Sequence, residues 1–232
     1  MKKFITILFL FFVQSFINAQ IFNESNFSLL YNYTTTSKLY YNPFSSDKLL
    51  RSNYIELNNL KSISFEFRTI FFENVFISLN SEYLSKNFLY DNINLQGDRA
   101  IAHDSFTFIP VELDFFYYLP FSNEYIRFFM GGGFGFYFGK FKRELGNQIT
   151  KSEMFNSSYG INVSVGMDYT FYENYSVRFQ MRFRDPELSW INNYNSNLVL
   201  YNDKTYFLNT SSFYTKINFD GINFSLGLVY NF

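Results

Sequence analysis

The sequence contains one place where a histidine, an acid and a hydroxyl meet, His103-Asp104-Ser105. Hydrolases use these groups as base, orienting acid and nucleophile, provided that all three lie within hydrogen-bond reach. Neighbouring residues of a strand point to opposite faces, so a strand here would bring only His103 and Ser105 together. The chain has no cysteine and a single histidine. These counts exclude thiol catalysis, a disulfide framework and a multi-histidine metal site.

Two further motifs have spacings that could do chemistry. Glu112 and Asp114 would share one face of a strand about 6–7 Å apart, and paired carboxylates can transfer protons or hold a cation. The run from Gly131 to Gly135 resembles a phosphate-binding loop, but residue 138 is Phe where the glycine pattern needs Gly, and no Gly-Lys-Ser/Thr follows. We interpret the glycines as space for larger neighbours, and we expect no cofactor and no metal.

The elements that position these residues follow a period of two. From Tyr159 to Phe171, large apolar side chains alternate with Gly, Asn, Ser, Asp and Thr. This pattern predicts a strand of about 13 residues with one apolar face. Seven further segments alternate in the same way. They are Phe27–Tyr33, Ile63–Phe67, Val75–Tyr83, Val111–Leu119, Phe128–Phe138, Val177–Phe183 and Ile222–Phe232.

Short and long connections alternate along the chain. Three are tight turns, whereas four are long and polar and cover residues 35–59, 85–104, 140–156 and 185–218. All short turns, with both chain termini, are therefore expected at one end of the sheet. At Pro110 the apolar phase shifts from Phe106 and Phe108 to Val111 and Leu113. We interpret this shift as a bulge.

The side-chain volumes indicate which face is outside. An eight-stranded barrel has an interior just wide enough for its own side chains. The apolar face carries Phe, Tyr, Leu, Met or Ile at nearly every position. Eight such rows would overfill that interior, so the apolar face must point outward into lipid. Aromatic residues also flank the short turns, as in an interfacial girdle. We predict an all-β fold, an eight-stranded antiparallel up-and-down transmembrane β-barrel formed by residues 20–232.

The N-terminal 19 residues are typical of a cleaved signal peptide. Met1-Lys2-Lys3 is cationic, the following segment to Phe16 is almost purely apolar, and Ala19 supplies a small residue at the expected cleavage site. The apolar segment is too short for an ordinary membrane-spanning helix.

The whole pattern resembles a bacterial outer-membrane β-barrel. The segments Phe108–Leu113, Tyr117–Leu119 and Gly131–Gly139 are similar to the small "outer membrane protein β-barrel domain" families of Bacteroidetes-like bacteria. The resemblance implies residence in the outer membrane with periplasmic termini, and it implies that Phe232 is the signal read by the outer-membrane assembly machinery. The His-x-Ser at His103 resembles the outer-membrane lipid A deacylases, but there the motif lies on a later strand with a fuller context.

The inward face of the predicted barrel carries five acids and five arginines, which indicates a balanced, paired network. These residues are Glu66, Arg68, Glu82, Glu112, Asp114, Arg127, Asp168, Arg178, Arg182 and Arg184. Turn symmetry predicts that Asp168 faces Arg178 and that Ser164 faces Arg182. It also predicts that Glu112 and Asp114 face Gly133 and Gly131.

The sequence therefore favours an outer-membrane barrel with a charge-filled lumen, long extracellular loops and a structural or surface-binding role, and not an enzyme. One alternative is a narrow channel or transporter for small or hydrophobic solutes. Another is a lipid-modifying enzyme that uses His103 and Ser105. With 19 basic and 20 acidic residues, the chain has no basic excess for nucleic acid. The expected partners are outer-membrane lipid and the assembly machinery, and a protein partner outside the membrane stays open.

Overall fold

A computed structural model describes residues 25–152 and 156–232. This part of the chain forms thirteen strands and one helix of five residues, α1 (Lys48–Ser52). The strands are β1 (Asn26–Tyr40), β2 (Tyr54–Phe72), β3 (Val75–Leu95), β4 (Asp98–Tyr118), β5 (Ile126–Leu145), β6 (Gln148–Ser152), β7 (Asn156–Tyr172), β8 (Tyr175–Arg184), β9 (Glu187–Tyr194), β10 (Leu198–Tyr201), β11 (Lys204–Phe207), β12 (Ser212–Asn218) and β13 (Ile222–Asn231). The predicted signal peptide, residues 1–19, lies outside the described residues. In the described ranges no helix has the length and apolar character needed to cross a membrane.

Eight strands close into a ring, which we call the lower barrel. Its order is β1–β2–β3–β4–β5–β7–β8–β13, and β13 pairs again with β1. Every pairing is antiparallel. Each of the eight alternating segments of the sequence lies within one of these strands, apart from residues at strand ends. The predicted eight-stranded antiparallel barrel is confirmed.

The long connections differ from the prediction, because much of their length is strand. β1 to β5 continue past the lower barrel, and β6, β9 and β12 join them to close a second ring, the upper barrel. A separate hairpin, β10–β11, lies beyond it. The segments 85–104 and 140–156 are therefore largely a continuation of the sheet, whereas 35–59 and 185–218 continue it at their ends.

β4 shows why the sequence predicts strands that are shorter than the observed ones. Its register with β5 runs without a shift from His103 to Tyr118, so the interpretation of Pro110 as a bulge is wrong. Even-numbered residues face inward throughout, but Phe106 and Phe108 lie in the upper barrel and Glu112 in the lower barrel. The apolar residues change face because the surroundings of the strand change, while the backbone stays regular.

The two barrels enclose opposite kinds of side chain, polar and charged ones in the lower barrel and apolar ones in the upper barrel. In the lower barrel the outward side chains are large, apolar and exposed, with Phe134 at 66% and Phe65 at 65%. Soluble proteins rarely leave so large an apolar surface uncovered. The upper barrel instead encloses an apolar cluster. Its buried members are Leu39, Leu57, Leu60, Leu84, Phe106, Phe108, Tyr137, Phe141, Leu188, Trp190, Ile217 and Phe219.

Candidate functional site

The predicted lumen residues occupy the interior of the lower barrel. Nine of them are at most 5% exposed: Glu66, Arg68, Glu82, Glu112, Asp114, Asp168, Arg178, Arg182 and Arg184. They come from β2, β3, β4, β7 and β8, whose inward positions alternate with the exposed apolar ones. Arg127 is only half-buried. Burial of this many charges is costly unless they are paired, so their partners decide whether the interior is stable.

Arg178 is the centre of the first charge cluster. Its Nε and Nη2 donate to the two carboxylate oxygens of Asp168 at 2.7 and 2.9 Å, and its Nη1 lies 3.4 Å from Glu66 Oε2. Arg68 Nη2 donates to Glu66 at 2.6 Å. The Arg68 guanidinium also lies 4.0 Å from the centre of the Phe116 ring. This cluster therefore combines one bidentate ion pair and further single ion pairs with cation–π contacts among fully buried side chains.

Glu112 is the centre of the second cluster. Arg182 Nη1 donates to it at 2.6 Å, and Arg184 Nη1 lies 3.4 Å away. Arg184 also binds Glu82 at 2.7 Å, and Arg182 lies 3.7 Å from Asp114. Each acid of this cluster therefore contacts an arginine of β8. These arginines connect β8 to β3 and β4 across the lumen.

The structure confirms one of the two predicted hairpin registers and contradicts the other. Asp168 lies opposite Arg178 and Ser164 lies opposite Arg182, as turn symmetry predicts. The prediction for the other hairpin is wrong, because Glu112 faces Gly135 and Asp114 faces Gly133. The turn between β4 and β5 is centred one residue further along the chain than its sequence indicates, which moves every pair by two positions.

The glycines of β5 make room for this interior. A Cβ atom at Gly133 would lie 1.9 Å from the carbonyl oxygen of Leu113 and 2.7 Å from Asp114 Oδ1. At Gly135 it would lie 2.5 Å from the Tyr137 hydroxyl group. Larger residues would collide with backbone as well as side chains. The run is thus explained by close packing, and its geometry is that of a regular strand rather than a phosphate-binding loop.

Arg127 stands apart from the two clusters. Its guanidinium lies 5.1 Å from the centre of the Tyr118 ring, and its Nη2 donates to Asn231 Oδ1 at 3.5 Å. No described carboxylate forms an ion pair with it. It lies at the short-turn end, next to a small aromatic cluster of Phe76, Phe116, Tyr118 and Phe129 that fills this end of the lumen.

A third ion pair closes the upper barrel, and sequence reasoning missed it. Arg143 Nε and Nη2 donate to the Asp104 carboxylate at 2.7 and 2.5 Å, and the Tyr41 hydroxyl donates to the same carboxylate at 2.6 Å. The Arg143 guanidinium is stacked among the rings of Tyr41, Tyr90 and Phe213, at 4.6–4.9 Å from their centres. A signal for this pair exists in the sequence. If β4 and β5 are extended through the predicted loops, their alternation places Asp104 and Arg143 on the inward face.

The surroundings of this ion pair shift its ionisation. Burial raises the pKa of Tyr41 well above its usual value, and the negative charge of Asp104 raises it further. Burial lowers the pKa of Arg143, but the hydrogen bonds and the charge of Asp104 outweigh that effect and raise it above its usual value. The phenol therefore stays neutral and the guanidinium stays charged over the whole neutral pH range.

The structure does not bring the three residues of the His-Asp-Ser motif together. His103 and Ser105 lie on the outer face of β4, opposite Glu144 and Lys142 of β5. They line an open groove of about 470 Å³. Asp104 faces the interior, where Arg143 and Tyr41 occupy its carboxylate. Among the described residues, no cluster of three or more His, Asp or Glu side chains could hold a metal ion.

Phe232 follows β13 at the short-turn end. Its backbone pairs with Ser25, and its ring is stacked on Phe27 with 5.7 Å between ring centres. The side chain is 43% exposed on the outer face. Its role as an assembly signal stays a prediction.

The comparisons with known proteins concern the fold. OprG of Pseudomonas aeruginosa, an outer membrane protein, matches with a TM-score of 0.63 and 12% identity over 90% of this chain and 96% of that chain. Ail of Yersinia pestis has a TM-score of 0.43 at 13% identity over 90% of this chain and 99% of that one. No protein-family model and no curated protein sequence matches the chain.

The closed ring, its exposed apolar exterior and the likeness to OprG define the class of the fold. The chain has the architecture of a small eight-stranded bacterial outer-membrane β-barrel.

Proposed function

We propose that this protein is a non-enzymatic surface protein of the outer membrane, in which the lower barrel is the anchor and the upper barrel is a rigid extracellular platform. The observation that carries the proposal is the pair of closed rings with inverted hydrophobicity. An exterior of apolar side chains suits lipid, whereas an apolar interior under an exterior that includes many polar and charged side chains suits water. One protein with both surfaces fits a boundary between the two media.

The orientation follows from this division. The short turns and the C-terminal Phe232 lie at the end of the lower barrel that has no extension, which suits the periplasm. The β3–β4 and β10–β11 hairpins project from the opposite end, and a second apolar cluster fixes their bases. It contains Leu95, Ala100, Ala102, Leu145, Val199 and Tyr206. A surface held in one conformation loses little entropy on binding, so it suits recognition of a partner.

The interior argues against free conduction. From one end to the other it contains the aromatic cluster around Phe116, the two arginine–carboxylate clusters, the apolar core around Phe108 and the Asp104–Arg143 pair. Four different layers would have to move before a solute could pass. The arrangement of Asp104 also argues against a hydrolase, since its carboxylate cannot orient His103 from the opposite face of the strand.

Epitope insertion tests the orientation. A tag at Gly146 or at Asn202 lies in a tight turn of the upper region, and a tag at Asn123 lies in a short turn at the opposite end. We expect antibody binding on intact cells for the first two insertions and not for the third. Labelling at Asn123 on intact cells would contradict the proposal.

Conductance tests the closed lumen. In planar bilayers the purified protein should show little conductance, and a steady large conductance would contradict a closed lumen.

A second candidate function, the uptake of a hydrophobic solute, is favoured by one feature. The pairing of β7 with β8 begins at Asn162 and Arg184, and residues 156–161 of β7 have no strand partner on that edge within the described ranges. An open notch of about 330 Å³ lies beside them and is lined by Ile161, Val163 and Phe183 among others. Inside the upper barrel the lumen is filled by the apolar core, to which Trp190 belongs.

Solute uptake by whole cells separates the two functions. Under this second function, Trp190→Ala would widen the route and raise the uptake rate of an apolar dye, while Phe171→Ala, an exposed outer-face change on the same strand as Ile161, would not. Equal uptake by both variants and by cells without the protein would exclude the second function.

A further inference from the structure

A row of outward-facing polar side chains crosses β2 to β5 directly above the apolar exterior. Its members are Lys61, Ser85, Thr107 and Lys140. Ser85 pairs with Thr107 and Thr107 pairs with Lys140, and the β2–β3 register, which pairs Ser62 with Leu84, continues to Lys61 beside Ser85. We call these four residues the lysine row.

The residues just below the lysine row are apolar. On the same four strands they are Ile63, Tyr83, Ile109 and Phe138. Ile63 is 53% exposed and Tyr83 is 58% exposed. The lysine row therefore lies where the lipid-compatible surface ends, which is the level of lipid headgroups.

The two lysines of the row have uncommitted charges. Neither Lys61 nor Lys140 forms an ion pair with any described acid, and both are exposed. Lys142, one row higher, is neutralised by Glu144. In the upper barrel, on β1 and β12, the lysines are instead paired, Lys38 with Asp220 and Lys216 with Glu187 at 3.2 Å. The lysine row therefore carries two positive charges that no described acid neutralises, whereas the paired lysines are each neutralised by a carboxylate.

We propose that the lysine row binds the phosphate groups of an outer-leaflet glycolipid whose acyl chains lie on the apolar surface below. Lys61 and Lys140 are separated by three strand spacings, about 14 Å, a span that a disaccharide headgroup with a phosphate at each end can bridge. Ser85 and Thr107 lie between them and supply hydroxyl donors. Exposed lysines at a membrane surface attract anionic lipid, and the attraction falls with ionic strength.

The proposal rests on the orientation given under the proposed function, since the row faces the outer leaflet only if the upper barrel is extracellular. The two ideas fail separately. Epitope tags report the orientation, whereas lipid binding by purified protein reports the row.

The test uses the refolded protein in detergent micelles doped with diphosphorylated lipid A, and native mass spectrometry measures the bound lipid. Lys61→Gln with Lys140→Gln should weaken binding roughly tenfold. The matched control, Lys38→Gln with Lys216→Gln, removes the same net charge from the paired lysines of the upper barrel and should bind as the wild type does. Lys61→Arg with Lys140→Arg should retain binding.

Three outcomes would overturn the proposal. The first is wild-type binding by the Lys61→Gln, Lys140→Gln variant. The second is an equal loss in both glutamine variants, because that would be an effect of overall charge. The third is equal affinity of the wild type for diphosphorylated and fully dephosphorylated lipid A, because that would be binding through the acyl chains. Electrophoresis with and without heating verifies that each variant has formed the barrel.

Discussion

The lower and upper barrels are built largely from the same strands, yet they turn opposite kinds of side chain inward. β4 contributes to both barrels. In its lower part Glu112 and Asp114 face inward and Leu113 faces outward. In its upper part Phe106 and Phe108 face inward and Ser105 faces outward. The backbone register does not change between the two. The apolar period of a strand therefore reports the medium on each side of it, and a reversal of phase need not mean a bulge or the end of the strand.

The largest expected effect tests the charged interior of the lower barrel. Arg178→Met leaves Asp168 and Glu66 without their shared partner in a buried site, so we expect a loss of about 3–5 kcal/mol in the free energy of unfolding. Arg178→Met with Asp168→Asn removes one of the stranded charges and should cost less. Urea unfolding in detergent measures both variants. Additive costs would mean that the two residues are not coupled.

A somewhat smaller effect tests the apolar interior of the upper barrel. Phe108 is fully buried and stacked on Phe219 with 3.9 Å between ring centres, so Phe108→Ala should cost about 3 kcal/mol. We expect protease to cleave the upper barrel sooner while the lower barrel still migrates as a folded, heat-modifiable band. The matched change is Phe134→Ala, which faces outward in the lower barrel and should leave cleavage of the upper barrel unchanged. Simultaneous loss of both barrels in Phe108→Ala would mean that they form one cooperative unit.

The smallest effect concerns alkaline pH and separates the two barrels chemically. The pKa of Tyr41 is raised in the folded protein, whereas an unfolded tyrosine ionises near pH ~10. Above that pH the unfolded chain releases the Tyr41 proton and the folded chain keeps it, so the stability of the upper barrel should fall as the pH rises. Tyr41→Phe should flatten this slope, as seen in unfolding followed from pH 8 to 11. A slope identical to that of the wild type would exclude Tyr41 as its source.

The sequence predicted the lower barrel well for a physical reason. Along Tyr159–Phe171 every outward residue meets lipid and every inward residue must be small or polar, so the two faces differ sharply. The same argument places the ten charges in the interior, since each shares a face with Gly, Ser or Asn. The hairpin around Glu173 has a tight turn, and its symmetry gave the pairing of Asp168 with Arg178 correctly.

The rest could not be predicted because its signals are weaker or distant in sequence. The upper strands expose a mixture of polar and apolar residues on the side where the lower strands expose mainly apolar ones, so residues 85–104 lack a clear alternation and resemble a loop. Asp104 and Arg143 are joined only through the β4–β5 register, which depends on a seven-residue turn at 119–125 whose centre the sequence does not fix. The partners of Arg182 and Arg184 lie across the lumen, where strand pairing gives no information.

The arginine clusters also constrain the order in which the barrel closes and inserts into the membrane. Arg178 on β8 is joined to Glu66 on β2, to Asp168 on β7 and to Asn26 on β1. β7 is the hairpin partner of β8, whereas β1 and β2 come within reach of Arg178 only when the ring is complete. An open sheet in the bilayer would turn such a guanidinium towards lipid at a cost of about 2–4 kcal/mol near the midplane. Strand-by-strand insertion is therefore penalised. The first and last strands have to meet before the charged interior can leave water, which makes closure and insertion a single concerted step.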